Sequence, residues 1–135
     1  MLRNASRRSF STKVFQNYIN GQWVPSKATQ HIDVVCPLTQ DVIGRVPESP
    51  QSEFDEAVAN AADTFKTWKK VPVSTRVRYM LKYQQLLKDN SDELCQAITK
   101  EHGKSLVDAA GDVFRGYEVV EHACSFTSLG QGETV

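Results

Sequence analysis

The chain has 135 residues, of which 40% are hydrophobic and 24% are charged. This length fits a single domain, and the composition is that of a globular protein rather than a disordered or collagen-like one. Because the formal net charge is zero and no apolar run approaches the roughly eighteen residues of a membrane span, we expect neither nucleic-acid nor membrane binding.

Residues 1–13 are rich in arginine and serine and contain no acidic residue. With Leu2 and Phe10 as apolar positions they could form a short amphipathic helix, which is typical of a mitochondrial transit peptide. The sequence of residues 8–11 is similar to a matrix processing site and predicts cleavage near Phe10. A disordered basic tail is the alternative. We therefore expect a mildly acidic mature protein in the mitochondrial matrix.

The three cysteines, Cys36, Cys95 and Cys124, are odd in number and have no CxxC spacing. Neither a zinc site nor a disulfide framework is indicated, and no other metal site is predicted. We expect each cysteine to be a small buried hydrophobic residue in a reducing compartment.

Residues 14–51 are predicted to form a small antiparallel β unit. Asn20-Gly21 supplies the positive φ angles of a tight hairpin, and a second hairpin joins the alternating segments 31–36 and 41–46 before two prolines end it. Such a unit is too thin to be stable without covering elements.

Three helices are predicted next, because apolar residues recur at steps of three and four. Their predicted bounds are 52–70 with Ser52 opening the helix, 74–88 capped by Ser74, and 92–102 opened by Ser91. The apolar face of the first, which includes Phe65 and Trp68, would need a larger partner surface. The basic residues of the second are expected to be solvated: Arg76, Arg78, Lys82 and Lys88.

Gly103 is the predicted left-handed residue after the third helix, and Lys104 is expected to interact with the negative end of its dipole. A fourth helix should run from Leu106 to Ser128, with Ser105 and Asp108 as a variant capping box and Gly130 just beyond its end. Its predicted buried stripe is Leu106, Ala110, Val113, Tyr117, Val120 and Cys124. Each of Gly111 and Gly116 costs roughly 1 kcal/mol in a helix interior, so close packing is expected there.

YINGQWV (residues 18–24), AVANAADTFKTW (57–68) and EHGK (101–104) resemble elements found across the superfamily of NAD(P)-dependent aldehyde dehydrogenases. DVFRGYEVVEHAC (112–124), followed by GET (132–134), resembles its CoA-acylating methylmalonate-semialdehyde branch. Cys36 and Gln40 depart from the pattern, since the family usually has Asn and Gly there.

The resemblance implies an α/β fold with cofactor, catalytic and oligomerisation domains, in a homo-oligomer expected to be a tetramer. Residues 52–135 would form the helical, incomplete N-terminal part of the cofactor domain. A cysteine thiolate, NAD and CoA would convert malonate or methylmalonate semialdehyde to acetyl-CoA or propionyl-CoA, a step of valine and pyrimidine breakdown. This sequence contains neither the nucleophile motif nor a GxGxxG turn, so we expect the chain alone to be inactive.

Arg115 is the residue that the resemblance assigns to the substrate carboxylate, which its planar fork could bind in a bidentate manner. Spacing alone favours a different role, an exposed ion pair with Asp112 at i, i+3. His122 is expected to be structural rather than a general base. A stand-alone mitochondrial helical module, either an interaction module or a regulatory one, remains the alternative function.

Overall fold

The computed structural model describes residues 13–133 of the chain. Four short strands form two separate antiparallel pairs. The strands are β1 (Asn17–Ile19), β2 (Gln22–Val24), β3 (His31–Val35) and β4 (Val42–Pro47). β1 pairs with β2 and β3 pairs with β4, with an irregularity in register between Val34 and Val35. The two predicted hairpins are confirmed.

Both hairpin turns use left-handed backbone. Asn20 and Gly21 have φ angles of 51° and 72°, as a two-residue hairpin loop requires. In the second turn Gln40 has a φ of 61°, a conformation that glycine adopts at lower cost. The Gln40 side chain offsets part of this cost, because its Nε2 donates to the Pro37 carbonyl at 2.8 Å.

The segment that precedes β1 lies along β4. The Phe15 amide donates to the Arg45 carbonyl at 2.8 Å, and the Arg45 amide donates to the Lys13 carbonyl at 2.9 Å. The Phe15 ring covers Gly44 so closely that a Cβ there would overlap ring atom Cε2. Lys13, the last residue of the predicted transit segment, therefore makes a backbone contact with the β unit.

In the described part of the chain, five helices follow the strands: α1 (Gln51–Trp68), α2 (Val73–Asp89), α3 (Ser91–His102), α4 (Leu106–Cys124) and α5 (Phe126–Leu129). The predicted caps of the first two are wrong, since α1 and α2 begin directly after Pro50 and Pro72. The Pro50 carbonyl accepts from the Glu53 amide and the Pro72 carbonyl from the Thr75 amide, both at 3.0 Å, so each helix starts one residue earlier than the serine that was expected to cap it. Ser52 and Ser74 consequently lie inside the first turn.

The predicted fourth helix is divided. α4 ends at Cys124, and Ser125 separates it from the four-residue α5. The Ser125 hydroxyl donates to the His122 carbonyl at 2.6 Å, and this bond competes with continuation of the helix. Gly130 follows α5 with a φ of −82°, so it is not a left-handed cap.

In the described chain, α4 packs against both α2 and α3. Ala109 of α4 is fully buried, with 0% of its surface accessible, whereas Leu106 is 55% exposed and Ala110 is also exposed. Val113, Tyr117 and the later members of the predicted stripe are half-buried. The predicted stripe is therefore right at its last four members and wrong at Leu106 and Ala110, and the buried Ala109 was left out of it.

Two further expectations about packing are wrong within the described residues. A Cβ built on Gly111 or Gly116 would meet nothing within 4 Å. Arg76 was expected to be solvated, yet it is half-buried and its Nε atom is enclosed. Arg78, Lys82 and Lys88 are exposed as predicted.

α1 lies largely outside this packed core. It has no buried residue, and its apolar face is exposed, including Phe54, Val58 and Phe65. Its end contacts α2 through the Trp68 and Tyr79 rings, whose centroids are 5.7 Å apart. Within residues 13–133, the buried apolar side chains are the small ones of Cys36, Pro47, Cys95 and Ala109.

The first turn of α1 is bonded to the segment that follows β2. Glu53 accepts hydrogen bonds from the Ser26 hydroxyl at 2.7 Å and from the Lys27 amide at 2.6 Å. These bonds and the nearby Ser49 hydroxyl lower the pKa of the Glu53 carboxyl, the Lys27 amide most. The Glu53 carboxylate therefore fixes a distant loop on α1.

Of the predicted transit peptide, residues 1–13, the structure describes only Lys13. The rest of the segment and its predicted cleavage site near Phe10 lie outside the described residues. The same holds for Thr134 of the GET motif.

Candidate functional site

The candidate site is the exposed side of α4, opposite the side that packs on α2 and α3. Arg115 lies there, six residues from the buried Ala109. At about 100° per residue, the two side chains point about 120° apart around the helix. Asp108 and Asp112 share the exposed strip with Arg115. The charged residues of this strip decide what it can bind.

The entry to α4 is fixed by Gly103. This residue has a φ of 81°, so it confirms the predicted left-handed end of α3. It also lies against the second hairpin turn, since a Cβ on it would be 2.6 Å from the Cβ of Leu38. Glycine is therefore required here for two reasons, its backbone conformation and the close approach of Leu38. Both constraints fix the direction in which the chain leaves α3.

The start of α4 is capped as predicted. The Ser105 hydroxyl accepts a hydrogen bond from the Asp108 amide at 3.2 Å and donates to the Asp108 carboxylate at 2.8 Å. This reciprocal arrangement resembles a capping box with aspartate in place of glutamate. The carboxylate of Asp108 is thereby engaged within the first turn.

Lys104 does not simply lie at the end of the α3 dipole, as the sequence suggested. Its ammonium forms an ion pair with the Asp112 carboxylate, two turns along α4. The Lys104 side chain is 23% exposed and that of Asp112 is 50% exposed. A hydrogen bond from Lys104 lowers the pKa of the Asp112 carboxyl, and the charges of Lys104, His102 and Arg115 add smaller effects in the same direction. Asp112 is therefore ionised and paired at neutral pH.

The ion pair that Asp112 forms is with Lys104 and not with Arg115, the partner that spacing alone favoured. The carboxylate expected to hold Arg115 at i, i+3 is held by Lys104 instead. Among residues 13–133 the guanidinium of Arg115 forms no salt bridge. This holds also for Glu118, which lies three residues further along α4. The exposed strip thus presents an arginine fork beside an acid that is already neutralised. Such a fork suits a carboxylate ligand.

His122 lies on the same strip, and its backbone carbonyl accepts hydrogen bonds from Ser125. The cysteines lie elsewhere. Cys36 is 4% exposed in the second hairpin turn, where hydrogen bonds from the Thr39 amide and hydroxyl lower the pKa of its thiol. Cys95 is buried as expected, and Cys124 is half-buried.

The NAD expected from the resemblance needs a glycine-rich turn between a strand and a helix, whose amides receive the pyrophosphate. In the described part of the chain, β4 is the strand that leads into a helix. The segment that connects β4 to α1 ends in Pro50, and the carboxylate of Glu53 lies in the first turn of α1. A carboxylate there would repel phosphate, so the described residues do not fit the cofactor's pyrophosphate.

No cluster of three or more histidine, cysteine or acidic side chains within residues 13–133 is arranged to hold a metal ion. Of the helices that the structure describes, none has both the length and the apolar character to cross a membrane.

Comparisons with known proteins all indicate the same family. The model of the aldehyde dehydrogenase family matches residues 23–135. A mitochondrial, acylating methylmalonate-semialdehyde/malonate-semialdehyde dehydrogenase of Homo sapiens is 47% identical over 132 residues, which cover 98% of this chain and 25% of the relative. An Aedes aegypti protein that is named a probable enzyme of the same kind is 48% identical over 136 residues, 98% of this chain and 26% of that protein. The chain spans about a quarter of the length of these relatives.

Solved structures agree. A Sinorhizobium meliloti protein described as a methylmalonate-semialdehyde dehydrogenase, complexed with NAD, has a TM-score of 0.87 and 30% identity, covering 95% of this chain and 26% of that one. The predicted resemblance and the aldehyde dehydrogenase-like α/β fold class are confirmed. The mitochondrial localisation predicted from the basic N-terminal segment is confirmed by the names of the curated relatives, and the matrix stays a prediction.

Proposed function

Because this chain belongs to the aldehyde dehydrogenase family, we propose that it supplies the substrate-carboxylate site of an NAD-dependent, CoA-acylating semialdehyde dehydrogenase. The observation that carries the proposal is the uncommitted guanidinium of Arg115 beside an Asp112 carboxylate that Lys104 already holds. An exposed arginine tied to its helical neighbour would have fewer N–H donors and less net positive charge to offer a ligand.

The proposed substrates are malonate and methylmalonate semialdehyde, which the names of the curated relatives support. Both carry a carboxylate beside the aldehyde. The guanidinium of Arg115 can donate two parallel hydrogen bonds to that carboxylate and so orient the aldehyde at the other end of the molecule. A simple aldehyde lacks the carboxylate and would gain nothing from Arg115.

The overall reaction that we propose oxidises the aldehyde by hydride transfer to NAD and passes the acyl group to CoA. Loss of carbon dioxide then leaves acetyl-CoA or propionyl-CoA, a step that would serve valine and pyrimidine breakdown. The NAD complex of a solved relative supports the cofactor, and the acylating description of the curated relatives supports CoA. We assign no chemical step to residues 13–133, whose proposed role is to bind and orient the substrate.

The exposed apolar face of α1 fits a part of a larger subunit. We propose that residues 52–135 belong to the cofactor domain, that residues 14–51 contribute β segments beside it, and that the complete enzyme is a homo-oligomer, with a tetramer expected. Remaining segments of such a subunit would cover Phe54, Val58 and Phe65, which are exposed in the described chain.

The test requires a complete enzyme. We would insert this sequence in place of the matching quarter of the Aedes aegypti relative, to give a chimaeric enzyme, and replace Arg115 by Leu. Activity with malonate semialdehyde should fall while activity with propanal should not, because only the first substrate has a carboxylate for Arg115. Arg78→Leu, at an exposed arginine of α2, is the matched control. Equal selectivity of the Arg115 variant and the parent would contradict the proposal.

The same exposed face of α1 favours one other function, a stand-alone mitochondrial interaction or regulatory module. Such a module would fold cooperatively as a monomer and co-purify with a partner through Phe65 and Trp68. Aggregation of the isolated chain, or binding of an apolar dye to it, would favour the incomplete-subunit interpretation instead.

A further inference from the structure

We propose that Lys104 is a positioning residue for the Arg115 site: its ion pair with Asp112 leaves the Arg115 guanidinium free to bind a substrate carboxylate. This inference rests on the proposed function and adds a residue that determines specificity without contacting the substrate. It also gives a physical role to the last residue of the Glu101-His102-Gly103-Lys104 motif.

Asp112 is the natural competitor for Arg115. The two side chains lie three residues apart on one exposed strip, which is the spacing of a helical ion pair. Asp108, one turn earlier, is engaged by the Ser105 hydroxyl at 2.8 Å. If Lys104 were absent, the Asp112 carboxylate would join that of Glu118, three residues beyond Arg115, as an uncommitted anion that competes with the carboxylate of the substrate.

The position of Lys104 is determined by the backbone on both sides of it. Gly103 is held in the left-handed conformation and against Leu38, whose Cβ would be 2.6 Å from a Cβ on Gly103. Ser105 is fixed by its cap on α4. With both neighbours fixed and its own side chain 23% exposed, Lys104 loses little further freedom on pairing with Asp112.

The net charge of the site also indicates that Lys104 favours binding of an anionic substrate. Lys104, Asp112 and Arg115 together carry one net positive charge, which attracts an anionic substrate. Removal of the Lys104 charge leaves a neutral pair of Asp112 and Arg115. Removal of the Asp112 charge as well restores one net positive charge, now on Arg115 alone. A second substitution at Asp112 should therefore reverse the effect of the first at Lys104.

The first test uses the full 135-residue chain and measures rotation of the Arg115 guanidinium by 15N NMR. In the parent, rotation about its Nε–Cζ bond should be fast. Lys104→Met should slow this rotation as Asp112 pairs with Arg115, and Lys104→Met with Asp112→Asn should make it fast again. Lys100→Met, at an exposed lysine of α3, is the control and should change nothing. Unchanged rotation in Lys104→Met would overturn the inference.

The second test measures steady-state kinetics of the chimaeric enzyme. Lys104→Met should raise KM for malonate semialdehyde about twofold to fivefold, the range expected for an exposed ion pair, with little change in kcat or in activity with propanal. Lys104→Arg and the Lys104→Met, Asp112→Asn double variant should restore the parental KM. A loss that Asp112→Asn does not reverse would mean that Lys104 has a structural role only, and would overturn the inference.

Arg115→Leu separates the two proposals. If Arg115→Leu leaves selectivity unchanged, the proposed function is wrong. If Arg115→Leu removes selectivity and Lys104→Met does not alter it, only the role of Lys104 is wrong. Should Lys104→Met prevent assembly of the chimaeric enzyme, the NMR measurement on the 135-residue chain decides the question.

Discussion

Gly103 connects the second hairpin turn, the end of α3 and the start of α4, so Gly103→Ala is the most informative single change in the fold. The substitution adds one methyl group to a residue with a φ of 81°. That methyl would lie 2.6 Å from the Cβ and 3.3 Å from the amide nitrogen of Leu38. One neighbour is therefore backbone, which cannot rotate away as a flexible side chain could.

The expected cost follows from these two effects. A left-handed conformation costs a residue with a Cβ about 1–2 kcal/mol, and overpacking against a fixed neighbour costs about 1–3 kcal/mol. Alanine returns roughly 0.4–1 kcal/mol because it restricts the unfolded chain. We expect Gly103→Ala to lower the free energy of unfolding by about 2–4 kcal/mol, a large share of the roughly 5–15 kcal/mol of a typical domain.

The measurement is urea unfolding of the 135-residue chain, followed by circular dichroism. Gly116→Ala is the matched control, because Gly116 is inside α4 with nothing within 4 Å of its added Cβ. Alanine should stabilise that position by up to about 1 kcal/mol, since it is the better helix former. The two glycine substitutions should therefore have opposite signs. Equal changes in the unfolding midpoint for both would refute the reasoning.

Two further predictions concern the bonds that fix the β unit. Glu53→Gln should destabilise the chain at pH 7, because Glu53 accepts hydrogen bonds from Ser26 and Lys27, and the loss should disappear in acid. The pKa of Glu53 is lowered on folding, so its contribution is present above the ordinary value of 4.5 and is lost as the pH falls through the lower, folded value. Thermal unfolding of both proteins from pH 7 to pH 2 checks this, and a constant difference would contradict it. Gln40→Ala should cost about 1 kcal/mol, because it removes the hydrogen bond to Pro37 and keeps the left-handed strain. Gln40→Gly removes both and should be nearly neutral, so equal unfolding midpoints for the two variants would be evidence against strain at this turn.

Features that depend on a few neighbouring residues could be predicted from the sequence. The Asn20-Gly21 turn, the left-handed Gly103 and the cap formed by Ser105 with Asp108 all agree with the structure. In each case the atoms that interact are within about four residues, so local chemistry determines the geometry. The resemblance identified the family for the same reason, since its motifs are continuous segments.

Contacts between distant segments could not be predicted. The bond between Glu53 and Ser26 joins residues 27 positions apart, and no local pattern indicates it. The pair of Lys104 and Asp112 depends on the direction in which the chain leaves Gly103, and that direction is fixed by Leu38 of the second hairpin turn.

The first turn of the α4 stripe was wrong for a related reason. Hydrophobicity favoured Leu106, which is 55% exposed, whereas the small Ala109 is fully buried. Side-chain size at a site of close approach depends on the neighbouring helices, which the pattern of a single helix does not contain. The ion pair of Lys104 with Asp112, which leaves Arg115 without a partner among the described residues, was not predicted. Predicting it also requires the position of a neighbouring segment.

The central claim is that Arg115 binds the carboxylate of the substrate, and the ratio of kcat/KM for malonate semialdehyde to that for propanal tests it most directly. A hydrogen bond to a charged group contributes about 1.5–3 kcal/mol, so Arg115→Leu in the chimaeric enzyme should lower this ratio roughly tenfold to a hundredfold. Arg78→Leu should leave it unchanged. A ratio in the Arg115 variant equal to that of the parent would contradict the account.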